Sequence, residues 1–371
     1  MLRPERRTAV LFLSLGRKLV RTMKNKDIFT FRDAEKQAGP VAFSTMLKPA
    51  GSACNLDCGY CYYLDKAAQY GGRQAVMADD LLELYIRQYI EANEVPVVTF
   101  CWHGGEPLLL GRDFYRRAVA LQRKYAAGKR IENTLQTNGT LVDEAWCELF
   151  AENGFLVGLS LDGPEDIHDA FRRTKGGRPT FARVMRTVGM FRRTGVEYNT
   201  LSVVNRACEG RGAEIYRFFR DTVGSRYMQF LPAVEHVVDR AGLHRPLIVS
   251  PETQGARPAE WSVTAEGYGT FLCDIFDEWV VSDVGQCFVQ LFDATLAQWC
   301  GVQPGVCSMG ETCGDALVVE HNGDVYSCDH FVYPEYLLGN IRETPLAEIY
   351  RSRRRIDFGL AKRNALPAEC L

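Results

Sequence analysis

The chain has 371 residues, of which 46% are hydrophobic and 24% are charged, and it carries a formal net charge of −2. A chain of this length buries a large core and leaves room for one large α/β domain and a smaller appendage. The near-neutral charge gives no electrostatic basis for binding nucleic acid or an anionic membrane, and no apolar segment reaches the about 20 residues of a membrane span.

Thirteen of the residues are cysteines, a high number for a chain of this size. Their odd number and uneven spacing differ from the short, even-numbered disulfide framework of a secreted domain. Metal binding in a reducing compartment is the better interpretation, so we expect a cytoplasmic protein.

Residues 1–40 are a leader of uncertain status. Arginines precede a short apolar run at 9–13, which weakly imitates a signal peptide. Further basic residues follow the run and a small-residue cleavage site is missing, so we do not interpret it as a secretion signal. Met23 is an alternative start.

Residues 41–232 alternate apolar runs with helical periodicity, the pattern of repeated βα units around a parallel sheet. The predicted strands are 41–47, 95–102, 131–136, 155–161, 197–204 and 226–231. The predicted helices are 79–93, 112–126, 143–153 with Asp143 as its N-cap, 180–194 and 211–222. Six such units predict an α/β fold with a partial (βα)6 barrel, in which functional residues gather at the carboxyl ends of the strands.

The first predicted strand ends just before a loop with cysteines at positions 54, 58 and 61. Three thiolates are one fewer than a saturated four-iron cluster or a structural zinc takes, so one iron of a cluster would stay open to bind a small molecule. A zinc knuckle is the alternative, but its nearest further ligands, Cys101 and His103, lie about forty residues away.

Further motifs follow the next three predicted strands: His103-Gly104-Gly105-Glu106-Pro107, then 137–140, then 160–163. Two adjacent glycines let the backbone approach a ligand closely. Asn138 either contacts a ligand or only sets a turn. Ser160 and Arg172 either bind a ligand or are an ordinary strand-end hydroxyl and a surface charge.

Residues 233–300 are predicted to link the barrel to a C-terminal region. The stretch 233–262 contains several prolines and charges without a sustained period, which predicts a long loop at a substrate entrance. Two helices are predicted after it, at 264–283 and 287–300.

Region 301–371 carries a second cysteine set, formed by Cys307, Cys313 and Cys328, with Asp329 directly after the last. Asn322-Gly323 between two apolar runs predicts a β-hairpin that returns Cys328 to the side of Cys313. The spacing alone fits either an iron–sulfur cluster or a zinc ion.

The first cysteine loop and the Gly-Gly-Glu-Pro motif together resemble the signature of radical S-adenosylmethionine enzymes, and the second cysteine set resembles the start of the SPASM extension. The resemblance implies a [4Fe–4S] cluster on Cys54, Cys58 and Cys61, whose open iron binds S-adenosylmethionine. It also implies cofactor contacts from Gly104, Gly105, Glu106, Asn138, Ser160, Arg172 and Leu231, and auxiliary [4Fe–4S] clusters of uncertain number on Cys307, Cys313, Cys328 and Cys370.

A more specific resemblance, to the anaerobic sulfatase-maturating enzymes, rests on residues 54–63, 104–107, 135–140, 160–163, 227–232 and 307–330. Those enzymes oxidise one Cys or Ser of a sulfatase to Cα-formylglycine. The resemblance implies that Asp329 is the base and that Tyr63 and His103 lie near the substrate. The implied partners are a sulfatase polypeptide and an external electron donor such as flavodoxin or ferredoxin.

The sequence departs from that family at its end, where further cysteines are expected after Cys370. We therefore expect an incomplete extension: a fragment, an impaired protein, or one in which Cys273, Cys287 or Cys300 substitutes. One alternative function is another SPASM-type peptide maturase, which the lack of a leader-binding domain before residue 40 disfavours. The other is a non-catalytic metal-binding protein, which would need no cofactor-binding motifs.

Overall fold

The computed structural model describes residues 41–70, 76–239 and 246–366. The predicted leader and Cys370 lie outside these residues. No helix in the described part is long and apolar enough to cross a membrane.

A parallel sheet forms the centre of the fold. Its strands pair in the order β6–β5–β4–β3–β2–β1, and each pairing is parallel. Among the described residues β6 and β1 do not pair, so the barrel is open, and the predicted partial (βα)6 barrel is confirmed. The strands are β1 Ser44–Lys48, β2 Val97–Trp102, β3 Arg130–Thr137, β4 Phe155–Ser160, β5 Tyr198–Val204 and β6 Tyr227–Pro232.

Helices follow the strands and cover the outer face of the sheet. The seven predicted helices begin close to their predicted positions. The Asp143 side chain accepts a hydrogen bond from Trp146 N at 2.9 Å, as expected of an N-cap. The described α-helices are α1 Asp79–Ala92, α2 Arg112–Tyr125, α3 Glu144–Glu152, α4 Glu165–Phe171, α5 Phe181–Thr194, α6 Gly212–Arg217, α7 Ala265–Ser282, α8 Gln290–Trp299, α9 Leu346–Arg351 and α10 Arg353–Asn364.

An aromatic core joins β2 to helices α1 and α2. Phe100 makes edge-to-face contacts with Tyr85 and Tyr89, and Trp102 makes one with Tyr115. Phe100 and Trp102 therefore lie under the helices. Since side chains alternate along a strand, the odd-numbered positions of β2 point toward the inside of the barrel. His103 continues that odd-numbered series just beyond the strand.

The C-terminal region extends the same sheet. Strand β11 (Ala316–Glu320) pairs in parallel with β1, so that Lys48 lies opposite Glu320. The predicted hairpin is confirmed, because β11 pairs antiparallel with β12 (Asp324–Tyr326), which pairs with β13 (Leu337–Asn340). At the other edge, β10 (Phe288–Val289) pairs with β6.

The prediction of a long loop at 233–262 is wrong in part. The described residues contain a small antiparallel sheet in the order β8–β7–β9, in which β7 is His236–Val238, β8 is Leu247–Val249 and β9 is Arg257–Pro258. Strands of two or three residues are too short to leave a period in the sequence.

Helix α10 is fixed to the loop that carries the second cysteine set. A Cβ atom on Gly359 would lie 2.0 Å from the Cys313 carbonyl oxygen, so only glycine permits this approach. The Lys362 ammonium donates hydrogen bonds to the carbonyl groups of Cys307 at 2.5 Å, Ser308 at 2.9 Å and Gly310 at 2.5 Å. The helix therefore holds the backbone of this loop in one conformation.

Because of this contact, we expect alanine at position 359 to destabilise the protein, although alanine normally stabilises a helix more than glycine does. Alanine normally stabilises a helix interior by about 1 kcal/mol relative to glycine. We expect Gly359→Ala to lower the midpoint of thermal unfolding, because its methyl group meets Cys313. Gly269→Ala in helix α7, where nothing lies within 4 Å of an added Cβ, is the control and should raise it. A rise for both variants in calorimetry would contradict the close packing of α10.

His168 lies buried where β4 meets helices α4 and α5. Its Nε2 lies 3.1 Å from the Thr180 hydroxyl, and its Nδ1 lies 3.4 Å from the Asp162 amide nitrogen. Burial lowers the pKa of His168 from its ordinary 6.5 to about 4. Between pH 6.5 and about 4, the imidazole is therefore neutral in the folded protein and protonated in the unfolded chain.

The shift predicts a loss of stability in mild acid. The contribution of the neutral His168 to the free energy of unfolding is complete above pH 6.5 and is lost as the pH falls toward 4. The loss is about 2 kcal/mol at pH 5. His168→Gln has no titrating group, so its free energy of unfolding should fall less between pH 7.5 and 5. Urea unfolding of both proteins measures the difference, and equal pH dependence would exclude this role.

Candidate active site

The first cysteine loop is held from two sides by backbone hydrogen bonds. On one side, Asp57 N donates to Arg173 O at 2.8 Å and Gly59 N to Phe171 O at 3.2 Å. On the other side, the amide of Gly105 donates to Gly51 O at 2.8 Å. The loop is thereby fixed between the segment after α4 and the Gly-Gly-Glu-Pro motif.

The two glycines of that motif have a packing role. A Cβ on Gly105 would lie 2.0 Å from the Ala53 carbonyl oxygen, and Gly104 has a φ of +119°, which side chains rarely allow. We predicted that these glycines bring the backbone close to a ligand. In the structure they bring it close to the loop of residues 51–53.

The Glu106 carboxylate joins the second motif to the third. Its Oε1 accepts hydrogen bonds from Leu108 N at 3.0 Å and the Thr137 hydroxyl at 2.8 Å, and its Oε2 accepts one from Asn138 N at 2.9 Å. Burial raises the pKa of Glu106 to about 7. The predicted cofactor residue thus has protein donors on both oxygens.

Asn138 sets a turn, one of its two predicted roles, and its side chain also contacts the cysteine loop. Its Oδ1 accepts from Thr140 N at 3.0 Å. Its Nδ2 donates to Asn55 Oδ1 at 2.9 Å and lies 3.8 Å from the Cys54 sulfur. The amide therefore points a donor at one candidate cluster ligand.

Arg172 is a buried charge beside the loop. It forms a 3.0 Å salt bridge with Asp162, whose other oxygen accepts from the Tyr60 hydroxyl, while Arg172 Nε has no partner among the described residues. Burial raises the pKa of Cys58 to about 12, and the Arg172 charge opposes this rise. A guanidinium placed here favours the thiolate that a metal requires.

Two predicted cofactor residues lie on strands of the same sheet. The Ser160 hydroxyl at the end of β4 accepts a hydrogen bond from Gln136 Nε2 at 2.9 Å. Leu231 in β6 is 42% exposed, so its side chain is open to a ligand. The structure adds Trp261, which packs against the cysteine loop and whose indole N–H is buried without a partner in the described part.

These residues fit a cluster on three thiolates and a polar cofactor beside it. The orphaned donors of Arg172 and Trp261 both lie next to the cysteine loop. Among the described residues, no three His, Cys, Asp or Glu side chains are arranged to hold a single metal ion. A four-iron cluster makes a different demand, because each thiolate binds a different iron.

Asp329 lies in a charged group formed with the end of β1. The buried ammonium of Lys48 makes a salt bridge with one Asp329 oxygen, and the Tyr62 hydroxyl donates to the other. Burial raises the pKa of Asp329, but Lys48 and then His103 outweigh it and hold the pKa well below its usual range. Asp329 is therefore ionised.

His103, predicted near the substrate, lies beside this group. It is half-buried, and its Nδ1 accepts a hydrogen bond from Gly104 N at 2.8 Å. Burial lowers the pKa of His103 to about 4, with Asp329 opposing the change. The imidazole is therefore neutral.

Tyr63, predicted to lie near the substrate, is buried beside Lys48. Its side chain is 3% exposed, its hydroxyl donates to Glu320, and the Lys48 ammonium lies 3.5 Å from the centre of its ring. The tyrosine that contacts Asp329 is its neighbour Tyr62. Two adjacent tyrosines in a loop cannot be told apart by period, since no regular strand assigns them to faces.

Sequence reasoning missed Lys48 and Glu320, which face each other across β1 and β11. Each is fully buried at the end of an apolar strand. A charged residue at the end of an apolar strand indicates a buried ion pair or hydrogen-bonded charge, because buried charges are costly unless they are paired. The partner of each could not be named without the register of the two strands.

Three of the predicted auxiliary ligands lie near one another. Burial raises the pKa of the Cys328 thiol, and the nearby Cys307 and Cys313 raise it further. The Cys328 sulfur lies 3.9 Å from His330 Nδ1. Of the proposed substitutes, Cys287 neighbours Tyr216 and Asp283, whereas Cys273 and Cys300 are exposed. Cys370 lies outside the described residues.

Two family models match the chain. The radical SAM superfamily matches residues 49–206, and the SPASM iron-sulfur cluster-binding domain matches residues 307–371. The chain is 48% identical over 326 residues to the serine-type anaerobic sulfatase-maturating enzyme of Bacteroides thetaiotaomicron, covering 88% of this chain and 78% of the relative. It is 32% identical over 319 residues to the cysteine-type enzyme of Clostridium perfringens, covering 85% and 82%.

The fold agrees with these relatives. Native anSMEcpe with bound AdoMet and Cp18Cys peptide superposes with a TM-score of 0.77 at 31% identity, covering 89% of this chain and 85% of that one. Streptococcus suis SuiB, at 15% identity and a TM-score of 0.57, shares the fold. The barrel, the two cysteine sets and these matches show that the chain belongs to the anaerobic sulfatase-maturating enzymes, a family of radical SAM enzymes with a SPASM domain.

Proposed function

We propose that this enzyme oxidises a Ser or Cys of a sulfatase polypeptide to Cα-formylglycine. The observation that carries the proposal is the position of Asp329, an ionised carboxylate next to Cys328 and joined through Lys48 to the strand that leads into the first cysteine loop. The 48% identity to a sulfatase-maturating enzyme supports the substrate class.

The proposed cofactors are a [4Fe–4S] cluster on Cys54, Cys58 and Cys61, S-adenosylmethionine, and auxiliary clusters that use Cys307, Cys313 and Cys328. When bound, they supply a 5′-deoxyadenosyl radical that takes one hydrogen atom from the target Cβ, and an acceptor for the electron that leaves afterwards. The motif around Gly105 and Glu106 keeps the cysteine loop in place, and Asn138 points its amide at Cys54.

Asp329 is the proposed base. After the hydrogen atom has left Cβ, one proton and one electron must leave the target residue. A Ser target then becomes the aldehyde, whereas a Cys target becomes a thioaldehyde that water hydrolyses to the aldehyde with release of hydrogen sulfide. The ionised carboxylate accepts the proton from the hydroxyl or thiol, and Lys48 and Tyr62 fix its orientation. An auxiliary cluster held by the adjacent Cys328 would supply an electron acceptor close to this proton acceptor.

S-adenosylmethionine is proposed to contact the exposed Leu231, the Ser160 hydroxyl and the unpartnered indole N–H of Trp261. Arg172 has a different role. Its guanidinium forms a salt bridge with Asp162, and the positive charge of Arg172 favours the Cys58 thiolate. We assign it to the cluster loop, with Nε left for a polar group.

Serine is the favoured target, since identity is 48% to a serine-type enzyme and 32% to a cysteine-type one. The Cp18Cys peptide bound to anSMEcpe supports an extended polypeptide substrate for this enzyme as well. A flavodoxin or ferredoxin is the proposed electron donor, and the cytoplasm is the proposed location.

The first test is an anaerobic reaction of the reconstituted protein with S-adenosylmethionine, a reductant and two peptides that differ only in Ser or Cys at the target. Mass spectrometry should detect aldehyde on the peptide together with 5′-deoxyadenosine, and more aldehyde from the Ser peptide. Cys58→Ala should make neither product. No product from protein shown to contain its first cluster would refute the proposal.

A second prediction separates hydrogen abstraction from the later proton transfer. Asp329→Asn removes the base, so aldehyde formation should fall about 100-fold or more while 5′-deoxyadenosine is still produced. Tyr62→Phe should reduce the aldehyde yield by up to about tenfold through loss of one hydrogen bond. Tyr63→Phe, which removes a hydroxyl from Glu320 and not from Asp329, is the matched control. A parallel loss of both products in Asp329→Asn would contradict the role of base.

A further inference from the structure

A short turn of residues 173–179 follows helix α4 and projects from the protein beside the first cysteine loop. An antiparallel bridge joins Arg173 to Pro179, and Thr174 N donates to Arg178 O at 3.0 Å. These bonds give the turn a defined shape, and its residues Arg173, Lys175 and Arg178 are exposed. We call this element the basic hairpin.

The basic hairpin itself contains three cations and no acidic residue. None of its three cations forms a salt bridge with a described carboxylate. The Arg173 guanidinium donates to backbone carbonyls, at 2.8 Å to Asp169 O and at 3.3 Å to Gly177 O. The nearby Asp169 carboxylate accepts hydrogen bonds from the amides of Thr180 and Phe181. The hairpin thus presents net positive charge to solvent.

The base of the hairpin is bonded directly to the loop that is proposed to hold the first cluster. Arg173 O accepts from Asp57 N and Phe171 O accepts from Gly59 N, so the two bonded amides flank Cys58. Leu56 also forms a bridge with Thr174. A protein seated on the hairpin would therefore lie close to this cysteine along a short, hydrogen-bonded path.

We propose that the basic hairpin is the docking surface for an acidic one-electron carrier protein that reduces the first cluster, a proposal that rests on the proposed function. One electron passes from the reduced carrier to the cluster, and no bond is made or broken. Electron-transfer complexes are small and weak, and complementary charge governs how fast they form. Three cations on one turn suit such an interface better than a nucleic acid or a membrane, which a chain of net charge −2 does not attract.

The test compares two double variants with the same change of charge. Lys175→Glu/Arg178→Glu reverses the hairpin at side chains without structural hydrogen bonds among the described residues. Arg87→Glu/Arg123→Glu reverses two exposed cations on helices α1 and α2. Each protein is assayed with reduced flavodoxin, with a reduced [2Fe–2S] ferredoxin and with dithionite, which needs no docking surface. Calorimetry measures the Kd for each carrier at low and high salt.

The hairpin variant should bind the carriers about tenfold more weakly at low salt, with the difference shrinking at high salt. Its turnover should fall with a protein donor and stay at the wild-type rate with dithionite, while the control variant changes neither. An unchanged Kd for both carriers would overturn the proposal, whatever the turnover. If wild-type protein makes no aldehyde with dithionite, the proposed function fails, and the binding measurement still decides the docking surface.

Discussion

The parallel pairing of β1 with β11 determines where the chemistry is placed. It sets Lys48 opposite Glu320 and joins the barrel to the C-terminal hairpin. The first cysteine set therefore follows β1, while Cys313 precedes the neighbouring strand β11 and Cys328 follows β12. The chain leaves β1 into the first cysteine loop, and it leaves the hairpin at Cys328 and Asp329. Without this register, the salt bridge between Lys48 and Asp329 would not form.

The charges at this junction hold one another in place. Lys48 is fully buried and lies between the carboxylate of Asp329 and the ring of Tyr63, whose hydroxyl is bonded to Glu320. A buried ion pair contributes little net stability, but removing one member leaves an uncompensated charge at a cost of several kcal/mol. The group is therefore better understood as a means of fixing the orientation of Asp329 than as a source of stability.

Local patterns predicted much of the fold. The barrel strands, the Asp143 cap and the turn at Asn322-Gly323 were foreseeable because each depends on neighbouring residues. The motifs that form the site were also found in the sequence. The partners of Glu106, Arg172 and Tyr63 were not, since each is set by the packing of segments far apart in the chain. Likewise, the glycines of the second motif were expected to face a ligand, and only the packed structure reveals the Ala53 carbonyl at that position.

The salt bridge between the buried Lys48 and Asp329 has a consequence for how this sequence can diverge. Lys48 ends strand β1, whereas Asp329 follows the C-terminal hairpin, so the two charges come from segments far apart in the chain. A neutral residue at position 48 would leave the Asp329 carboxylate without its counter-ion, and a neutral residue at position 329 would leave the buried ammonium without one. Mutational drift at these two positions is therefore correlated: a lineage that replaces one of them must pass through a less stable intermediate or replace its partner as well.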